Sequence, residues 1–331
     1  MYTIAEIGQA HEGSLGILHS YIDALAQTGV DAVKFQTHVA HAESSEYEPF
    51  RVKFSYEDVT RYEYWKRMEF TLEQWREIKT HCNEVGVDFI SSPFSNAAVD
   101  LLEEVGVKAY KIGSGEVTNL LLLEKIAKTG KPVILSSGMS SFDELGVSID
   151  FLKERGVEVS VLQCTTAYPT KPEEWGLNVI SELKERYGLV TGFSDHSGDI
   201  FACLAAASKG AEILEFHAVF DKRMFGPDSK ASLTIDEIAK LVEGVKAIEI
   251  SLSHKIDKQN NSRFSELKTI FEKSLAVNKD LPKGHILTSD DLEAKKPKGY
   301  GVDASEYGSV VGKSLTKELK AWAFLERDSL K

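Results

Sequence analysis

The stretch AYKIGSGE, residues 109–116, has the character of a buried strand with a cation at its centre. Tyr110 and Ile112 favour extended structure, glycines follow them, and Lys111 stands between them. A buried ammonium group is unfavourable unless it meets an anion or a carboxylate. The stretch therefore predicts a strand of a buried sheet that carries a functional lysine.

Short apolar segments of the same kind recur along the chain, and most are separated by segments of helical period. They are TIAEIG (3–8), DAVKFQT (31–37), VDFISSP (87–93), KAYKIGS (108–114), KPVILSS (131–137), VEVSVLQC (157–164), GLVTGFSD (188–195) and AEILEFHA (211–218). Strands that alternate with helices predict parallel pairing, and many of the helical segments end at a glycine. Eight such units in about 250 residues fit a (β/α)8 TIM barrel. A doubly wound sheet is the alternative, but no G-x-G-x-x-G follows the first strand.

Composition excludes several classes of partner. The chain has 331 residues and 42% hydrophobic residues, enough for one large core, or one large and one small. Its formal net charge of −12 argues against nucleic-acid binding. No segment approaches the roughly 18 apolar residues of a membrane span, and the start lacks the features of a signal peptide. Three widely spaced cysteines without a C-x-x-C pair indicate reduced thiols, so we expect a cytoplasmic protein without membrane partners.

Two segments interrupt the repeating pattern. The polar stretch SHKIDKQNNSRFSELK predicts a linker, and the residues after it show short strands and turns. We therefore expect a barrel at 1–252, a linker at 253–269 and a small β-rich domain at 270–331. The segment 38–70 is too long for a simple βα loop, and two interpretations stay open: it shapes a substrate site, or it packs on itself at the surface.

Strand alternation assigns side chains to the barrel interior, where chemistry collects at the C-terminal ends of the strands. Lys34 and Lys111 point inward, and so do Glu6, Glu215 and His217. Two inward lysines predict an anion site, such as one for phosphate. Hydroxyls and glycines that favour such a site gather near the same rim: Ser91, Ser92, Ser114, Ser136, Ser137, Gly113, Gly115 and Gly138. The alternative is that each lysine pairs with Glu6 or Glu215.

Histidines follow several strands. His196 and His217 come at the ends of consecutive strands, so together they could ligate one divalent metal, with water or substrate completing the shell. Each histidine alone would more often be an ordinary polar residue. His11 and His38 also lie just past strands, as contacts to a sugar or to another site residue.

The chain resembles the N-acetylneuraminate (sialic acid) synthase family, which includes related nonulosonate and spore-coat polysaccharide synthases. The matching motifs are AEIGQAHEGSL, VKFQTH, SSPFS, AYKIGSGE, ILSSGM, QCTTAYPT, GFSDHS and ILEFHAVFDKRMFGPDS. The tail, from SLAVNKDLPKGHILTSDDL to YGSVVGK, resembles the antifreeze-like (SAF) domain of that family. The resemblance runs in order over nearly the whole chain, so it is far more specific than any single motif.

The resemblance implies condensation of phosphoenolpyruvate with an N-acetylmannosamine-type amino sugar, using Mn²⁺ (or Mg²⁺ or Co²⁺). It implies a domain-swapped homodimer, in which the SAF domain closes over the partner's active site. It assigns the metal to His196 and His217. Residues matching the phosphoenolpyruvate contacts are Lys34, Ser92, Lys111, Ser114, Ser136 and Ser194.

The resemblance also implies roles around the acceptor. Glu6, Glu116 and Asp228 face the sugar and the reacting centre, and Tyr168 contacts the sugar. Of these groups, Glu6 and Glu116, with Lys111, are the expected catalytic residues. The sequence does not order Glu6 and Glu116 as proton acceptor and proton donor.

Three positions depart from the family pattern. Thr166 stands where the family has a sugar-binding Asn, and Lys296 stands where an Arg reaches the sugar's N-acetyl group. The sequence EFHAV, from Glu215 to Val219, replaces EKHF or ERHF. This pattern favours the same reaction on another sugar, such as a precursor of legionaminate or pseudaminate, with Lys296 as a sugar contact. The alternatives are a 3-deoxy sugar acid synthase, a Schiff-base aldolase using Lys111, and a catalytically idle sugar-binding barrel in polysaccharide assembly.

Overall fold

Eight parallel strands close into a barrel in the computed structural model, which describes residues 1–52 and 54–331. They are β1 (Tyr2–Gly8), β2 (Ala32–Thr37), β3 (Asp88–Pro93), β4 (Tyr110–Ile112), β5 (Val133–Ser136), β6 (Val159–Cys164), β7 (Val190–Asp195) and β8 (Ile213–Val219). Each strand pairs with the next, and β8 pairs with β1. The predicted (β/α)8 barrel is therefore confirmed.

Helices follow the strands and cover the barrel. Those in this part of the chain are α1 (Leu15–Ala26), α2 (Ala40–Glu43), α3 (Arg61–Met68), α4 (Leu72–Val85), α5 (Asn96–Val105), α6 (Leu120–Ala127), α7 (Phe142–Lys153), α8 (Leu177–Tyr187), α9 (Phe201–Ser208) and α10 (Ile235–Ser253). Capping boxes start α7 at Ser141 and α10 at Thr234. Left-handed glycines end α4 at Gly86 and α5 at Gly106, where any other residue would be strained. The extra strand β9 (Leu233–Thr234) pairs with β8 just before α10.

Alternation along the strands separates an apolar plug from a polar layer above it. The plug inside the barrel consists of Ile4, Ala32, Ile90, Ile134, Leu162 and Ile213. Two residues further along the same strands, and so on the same inward face, come Glu6, Lys34, Ser92, Ser136, Cys164 and Glu215. The residues between them, such as Tyr110 and Ile112, join the apolar layer under the helices. The barrel interior thus contains a ring of polar groups directly above an apolar layer.

The segment 38–70 forms two helices, α2 and α3, with a small core of its own. That core contains Ala40, Tyr64, Trp65 and Met68, with Phe50, Phe54 and Tyr62 packed against it. The segment therefore packs on itself, as one of the two interpretations required. It also borders the cavity described below, and the interpretation that it shapes a substrate site stays a prediction.

The residues from Lys255 to Lys331 form a separate compact unit. It contains α11 (Ser265–Phe271) and an antiparallel pair, β10 (Ser274–Val277) with β11 (Leu292–Lys295). Its core is built from Leu275, Val277, Leu281, Leu287, Val302, Val310, Leu315, Leu319 and Leu325. The predicted linker, 253–269, overlaps the last residue of α10 and most of α11. In the described ranges, no helix of either unit has the length and apolarity needed to cross a membrane.

Candidate active site

A cavity of about 420 Å³ opens at the C-terminal ends of the strands. Twelve of the predicted barrel residues line it: Glu6, Lys34, Ser92, Lys111, Ser114, Glu116, Ser136, Tyr168, Ser194, His196, His217 and Asp228. Lys296 belongs to the C-terminal unit, where its ammonium lies 4.9 Å from the centre of the Phe271 ring. The structure therefore gathers the barrel's candidates around one space.

Two lysines and two glutamates form a buried ion-pair group at the cavity floor. Lys34 Nζ lies 2.7 Å from Glu6 and 3.6 Å from Glu215, and Lys111 Nζ lies 3.4 Å from Glu215. Lys111 also donates to Ser136 Oγ at 2.5 Å. The alternative in which each lysine pairs with a glutamate is therefore observed for both Lys34 and Lys111. Because two cations face two carboxylates, the floor is close to charge balance before any ligand enters.

These contacts shift the floor's protonation equilibria. Burial opposes the charge of Lys34, but Glu215 and Glu6 outweigh it and raise the pKa of that ammonium. Burial lowers the pKa of Lys111, and Glu215 only partly offsets it. Burial also opposes ionisation of Glu6, yet the charge of Lys34 and hydrogen bonds from Lys34 and Gln36 lower its pKa below the usual range. Glu6 is therefore a carboxylate at neutral pH.

The two histidines face each other across 5.2 Å between ring centres. His196 Nδ1 lies 3.0 Å from the Thr165 carbonyl oxygen, so this nitrogen carries the proton and leaves Nε2 for a ligand. His217 Nε2 lies 3.2 Å from Glu6 Oε2. Burial lowers the pKa of His217, which keeps it in the neutral form that binds metals. Burial opposes the charged form of His196, but the neighbouring Cys164 outweighs this effect and raises the pKa of His196 to about 9. A metal bound to His196 would therefore displace a proton.

These residues fit a divalent metal of the kind that the resemblance implies. Two imidazoles share one cavity, and backbone and carboxylate partners fix their orientation. Within the described residues, no group of three or more His, Cys, Asp or Glu side chains is arranged to hold a metal ion. The assignment of the metal to His196 and His217 rests on the resemblance and on their shared cavity, and substrate or water would supply the remaining ligands.

Not all predicted rim residues reach the cavity. Ser91 Oγ contacts Thr37 Oγ1 at 2.7 Å, and Ser137 Oγ donates to Gln163 at 3.1 Å, because both serines lie on the outward face of their strands. Their placement at the anion site was wrong. Gly138 stands behind Ser114, and its N–H donates to Ser114 Oγ at 3.1 Å. A side chain at Gly138 would begin 2.4 Å from that oxygen, so only glycine permits this approach.

Two other predictions concern single residues. His11 is buried beside Phe70 and accepts from the Gly13 N–H at 3.0 Å, away from the cavity. The suggested sugar contact of His11 therefore has no support. Glu116 lines the cavity, and burial raises its pKa above the usual range of a glutamate.

The segment 38–70 contributes an arginine that touches two predicted sugar contacts. Arg51 donates to Asp228 Oδ1 at 2.6 Å and to the Pro227 carbonyl at 3.4 Å. Its guanidinium carbon lies 4.0 Å from the centre of the Tyr168 ring, and that ring stacks on His196 at 4.1 Å. A continuous stack thus connects this segment with the candidate metal ligands.

Sequence reasoning missed several residues that line the cavity. They include Gln9, Gln36, Glu43, Glu48, Phe50, Arg51, Trp65 and Cys164. Gln36 and Cys164 follow the inward alternation of Lys34 and Leu162, so strand period alone would have found them. Arg51 lies in an irregular segment, where no period assigns a direction.

Comparisons with known proteins give family matches over most of the chain. Residues 21–257 match the NeuB family, and residues 272–325 match the SAF domain. An N,N'-diacetyllegionaminic acid synthase from Campylobacter jejuni is 36% identical over 323 residues, which cover 96% of each chain. The human N-acetylneuraminate-9-phosphate synthase is 35% identical over 320 residues, covering 95% of this chain and 88% of the human one.

A solved structure is similar as well. The N-acetylneuraminic acid synthetase from Leptospira borgpetersenii, in complex with citrate, has a TM-score of 0.71 and 30% identity, covering 81% of this chain and 90% of that one. The fold and site define a barrel enzyme whose cavity contains two lysines paired with glutamates, beside two histidines. The chain belongs to the NeuB family and carries a C-terminal SAF domain.

Proposed function

We propose that this chain condenses phosphoenolpyruvate with an N-acylated amino sugar, forming a nonulosonic acid and releasing phosphate. The observation that carries the proposal is the single cavity that unites two lysines, two histidines and several acids at the barrel mouth. The test follows phosphate release from phosphoenolpyruvate across a panel of N-acetylated hexosamines, with and without Mn²⁺. Borohydride trapping should give no covalent adduct, whereas a Schiff-base aldolase would be labelled at Lys111.

Charge balance at the floor supports a metal in this function. The phosphate of phosphoenolpyruvate carries close to two negative charges, and its carboxylate adds another. Lys34 and Lys111 are already matched by Glu6 and Glu215, so a further trianion would lack compensation. A divalent cation at His196 and His217 would offset most of that charge, and when bound it would polarise the sugar aldehyde.

The chain's own residues bind the anion and transfer the protons. Lys34, Lys111 and the cavity serines hold the anion and offset charge that develops during the reaction. The enol carbon then attacks the aldehyde carbon of the open-chain sugar, water adds to the resulting cationic carbon, and phosphate leaves. The pKa of Glu6 is lowered and that of Glu116 is raised, which favours Glu6 as proton acceptor and Glu116 as proton donor.

Arg51 should affect binding of the acceptor sugar and not of phosphoenolpyruvate, because it contacts Tyr168 and Asp228, which are the predicted sugar contacts. We expect Arg51→Ala to raise the KM of the amino sugar about tenfold, the equivalent of one charge-assisted hydrogen bond. The KM of phosphoenolpyruvate should stay within about twofold, which is below 0.5 kcal/mol. Arg51→Lys should not restore the acceptor's KM, since an ammonium lacks the planar fork.

Arg61 provides the comparison, because it lies in the same segment and is also paired and stacked. It contacts Glu48 at 3.1 Å and lies 4.9 Å from the Trp65 ring centre. If Arg61→Ala and Arg51→Ala raise both KM values alike, Arg51 only orders the segment and has no direct effect on the acceptor.

We propose further that the C-terminal unit acts on the barrel of a partner chain. Apolar side chains of α11 support this, since Leu267, Ile270 and Phe271 are 48%, 56% and 60% exposed. Lys298 is occupied within the unit by Glu272 at 2.7 Å and Asp303 at 3.4 Å. Lys296 is therefore the better candidate for a contact with the acceptor sugar.

A chain truncated after His254 should bind phosphoenolpyruvate but lose most condensation activity, because the C-terminal unit is missing. Mixed with a full-length His217→Ala chain, it should regain activity, since the variant lends its C-terminal unit to an intact barrel. Steady-state rates of the separate and mixed chains measure this. A truncated chain that works alone at the full-length rate would contradict the swapped arrangement.

A further inference from the structure

We infer that His38 is a positioning residue, which holds the carboxylate of Glu6 in place through a relay of side chains that begins at Glu43. This inference rests on the proposed function, because it concerns the proton acceptor of the proposed reaction. Glu43, His38, Gln9, Gln36 and Glu6 all line the cavity, and together they run from α2 to β1.

The first link fixes the tautomer of His38. Its Nδ1 lies 2.6 Å from Glu43 Oε1, and Glu43 Oε2 accepts from the Val39 N–H at 3.3 Å. A carboxylate only accepts, so Nδ1 carries a proton, while Nε2 faces two amide atoms, Gln9 Nε2 and Gln36 Oε1, each at 3.3 Å. The His38 ring is therefore held by Glu43 on one side and by two amide side chains on the other.

Two amide side chains connect His38 to Glu6 at the cavity floor. Gln9 Nε2 lies 3.3 Å from His38 Nε2 and also donates to Gln36 Oε1. Gln36 Oε1 also lies 3.3 Å from His38 Nε2, so His38, Gln9 and Gln36 contact one another. Gln36 must then direct its own NH₂ group onward, and it donates to Glu6 Oε1 at 2.7 Å. A carboxylate stands at each end of this relay.

Aromatic packing holds the central ring in its plane. The His38 ring stacks on Trp65 at 4.1 Å and 18° and on Phe94 at 4.8 Å and 7°. His38 is 4% exposed, so its orientation is set by these neighbours and not by solvent. Through Trp65, the segment 38–70 is thereby coupled to the orientation of Glu6.

The relay matters because Glu6 has competing partners. Lys34 contacts Glu6 Oε1, and His217 contacts Oε2. Without the amide of Gln36, the carboxylate could turn fully toward Lys34, and a displacement of about 1 Å at a reacting group can lower a rate about 100-fold. The relay should therefore affect kcat while leaving phosphoenolpyruvate affinity in place.

His38→Phe is the first variant of the test, because phenylalanine keeps the stacking and removes both nitrogens. We expect kcat to fall about tenfold or more. The dissociation constant of phosphoenolpyruvate, measured by calorimetry, should remain within about twofold. Glu43→Gln should lower kcat less, and the double variant should match His38→Phe alone, since the two residues act in series. If His38→Phe fails to fold, His38→Gln enters the same comparison.

His81→Phe is the matched control, because His81 Nε2 contacts Asp23 at 2.8 Å between α1 and α4, away from the cavity. It should leave kcat unchanged. A wild-type kcat for His38→Phe overturns the inference, and so does a double variant whose losses are the product of the single ones. If the unchanged protein shows no acceptor-dependent phosphate release, the proposed function itself fails, which is a different result.

Discussion

Lys111→Met should bind phosphoenolpyruvate about 30- to 5,000-fold more weakly than the unchanged protein, which corresponds to roughly 2–5 kcal/mol for a buried charged contact. Lys111 is 1% exposed, lines the cavity and donates to Ser136, so no solvent can replace its ammonium. Methionine has a similar length, so the barrel should stay folded, but the change leaves the buried Glu215 without one of its two cations and should lower the Tm. Calorimetric titration and thermal unfolding measure the two effects separately.

The control for this variant is Lys108→Met, which lies three residues earlier. Lys108 pairs with Asp88 at 2.9 Å, and its side chain is 73% exposed. It should bind phosphoenolpyruvate normally. Normal affinity in Lys111→Met as well would mean that Lys111 serves only its ion pair with Glu215, which the structure also shows.

His217→Ala should lose bound Mn²⁺ and nearly all turnover while keeping the fold. Loss of an outer partner of a metal site already reduces affinity or activity about 10- to 100-fold, so loss of one of two protein ligands should reduce it by about 100-fold or more. Chelation should abolish turnover of the unchanged protein, and Mn²⁺ should restore it. Equilibrium dialysis reports the metal independently of activity.

His254→Ala is the control here, because His254 is exposed at the end of α10. It should retain both metal and turnover. Full activity of His217→Ala in chelator would remove the metal from the account and would leave His217 as a partner of Glu6 alone.

The alternation of side chains along each strand explains why the sequence predicted which residues face the barrel interior. In β4, Tyr110 and Ile112 belong to the layer under the helices, so Lys111 had to face inward. The same rule excludes Ser91 and Ser137 from the cavity, although the prediction grouped them with the inward-facing serines of the rim. Period thus fixes which face a side chain joins.

Period does not fix distances between side chains on different strands. The pairing of Lys34 and Lys111 with Glu215 depends on strand stagger and side-chain reach, so the sequence left it open. The direction of Arg51 depends on how an irregular segment folds against β8 and its loop, which no local pattern encodes. Predicting the relay from Glu43 to Glu6 would require both the distances between side chains on different strands and the path of the irregular segment.

The central claim is that phosphoenolpyruvate and an amino sugar become one acid at this site. The most direct measurement follows phosphate release and product mass in one reaction that contains phosphoenolpyruvate, Mn²⁺ and an N-acylated amino sugar. We predict that phosphate appears only when the sugar is present, in equal amount to a product with three more carbons than the sugar and no phosphate from phosphoenolpyruvate. Phosphate release without the sugar, or no coupled product with any N-acylated hexosamine of the panel, would contradict the account.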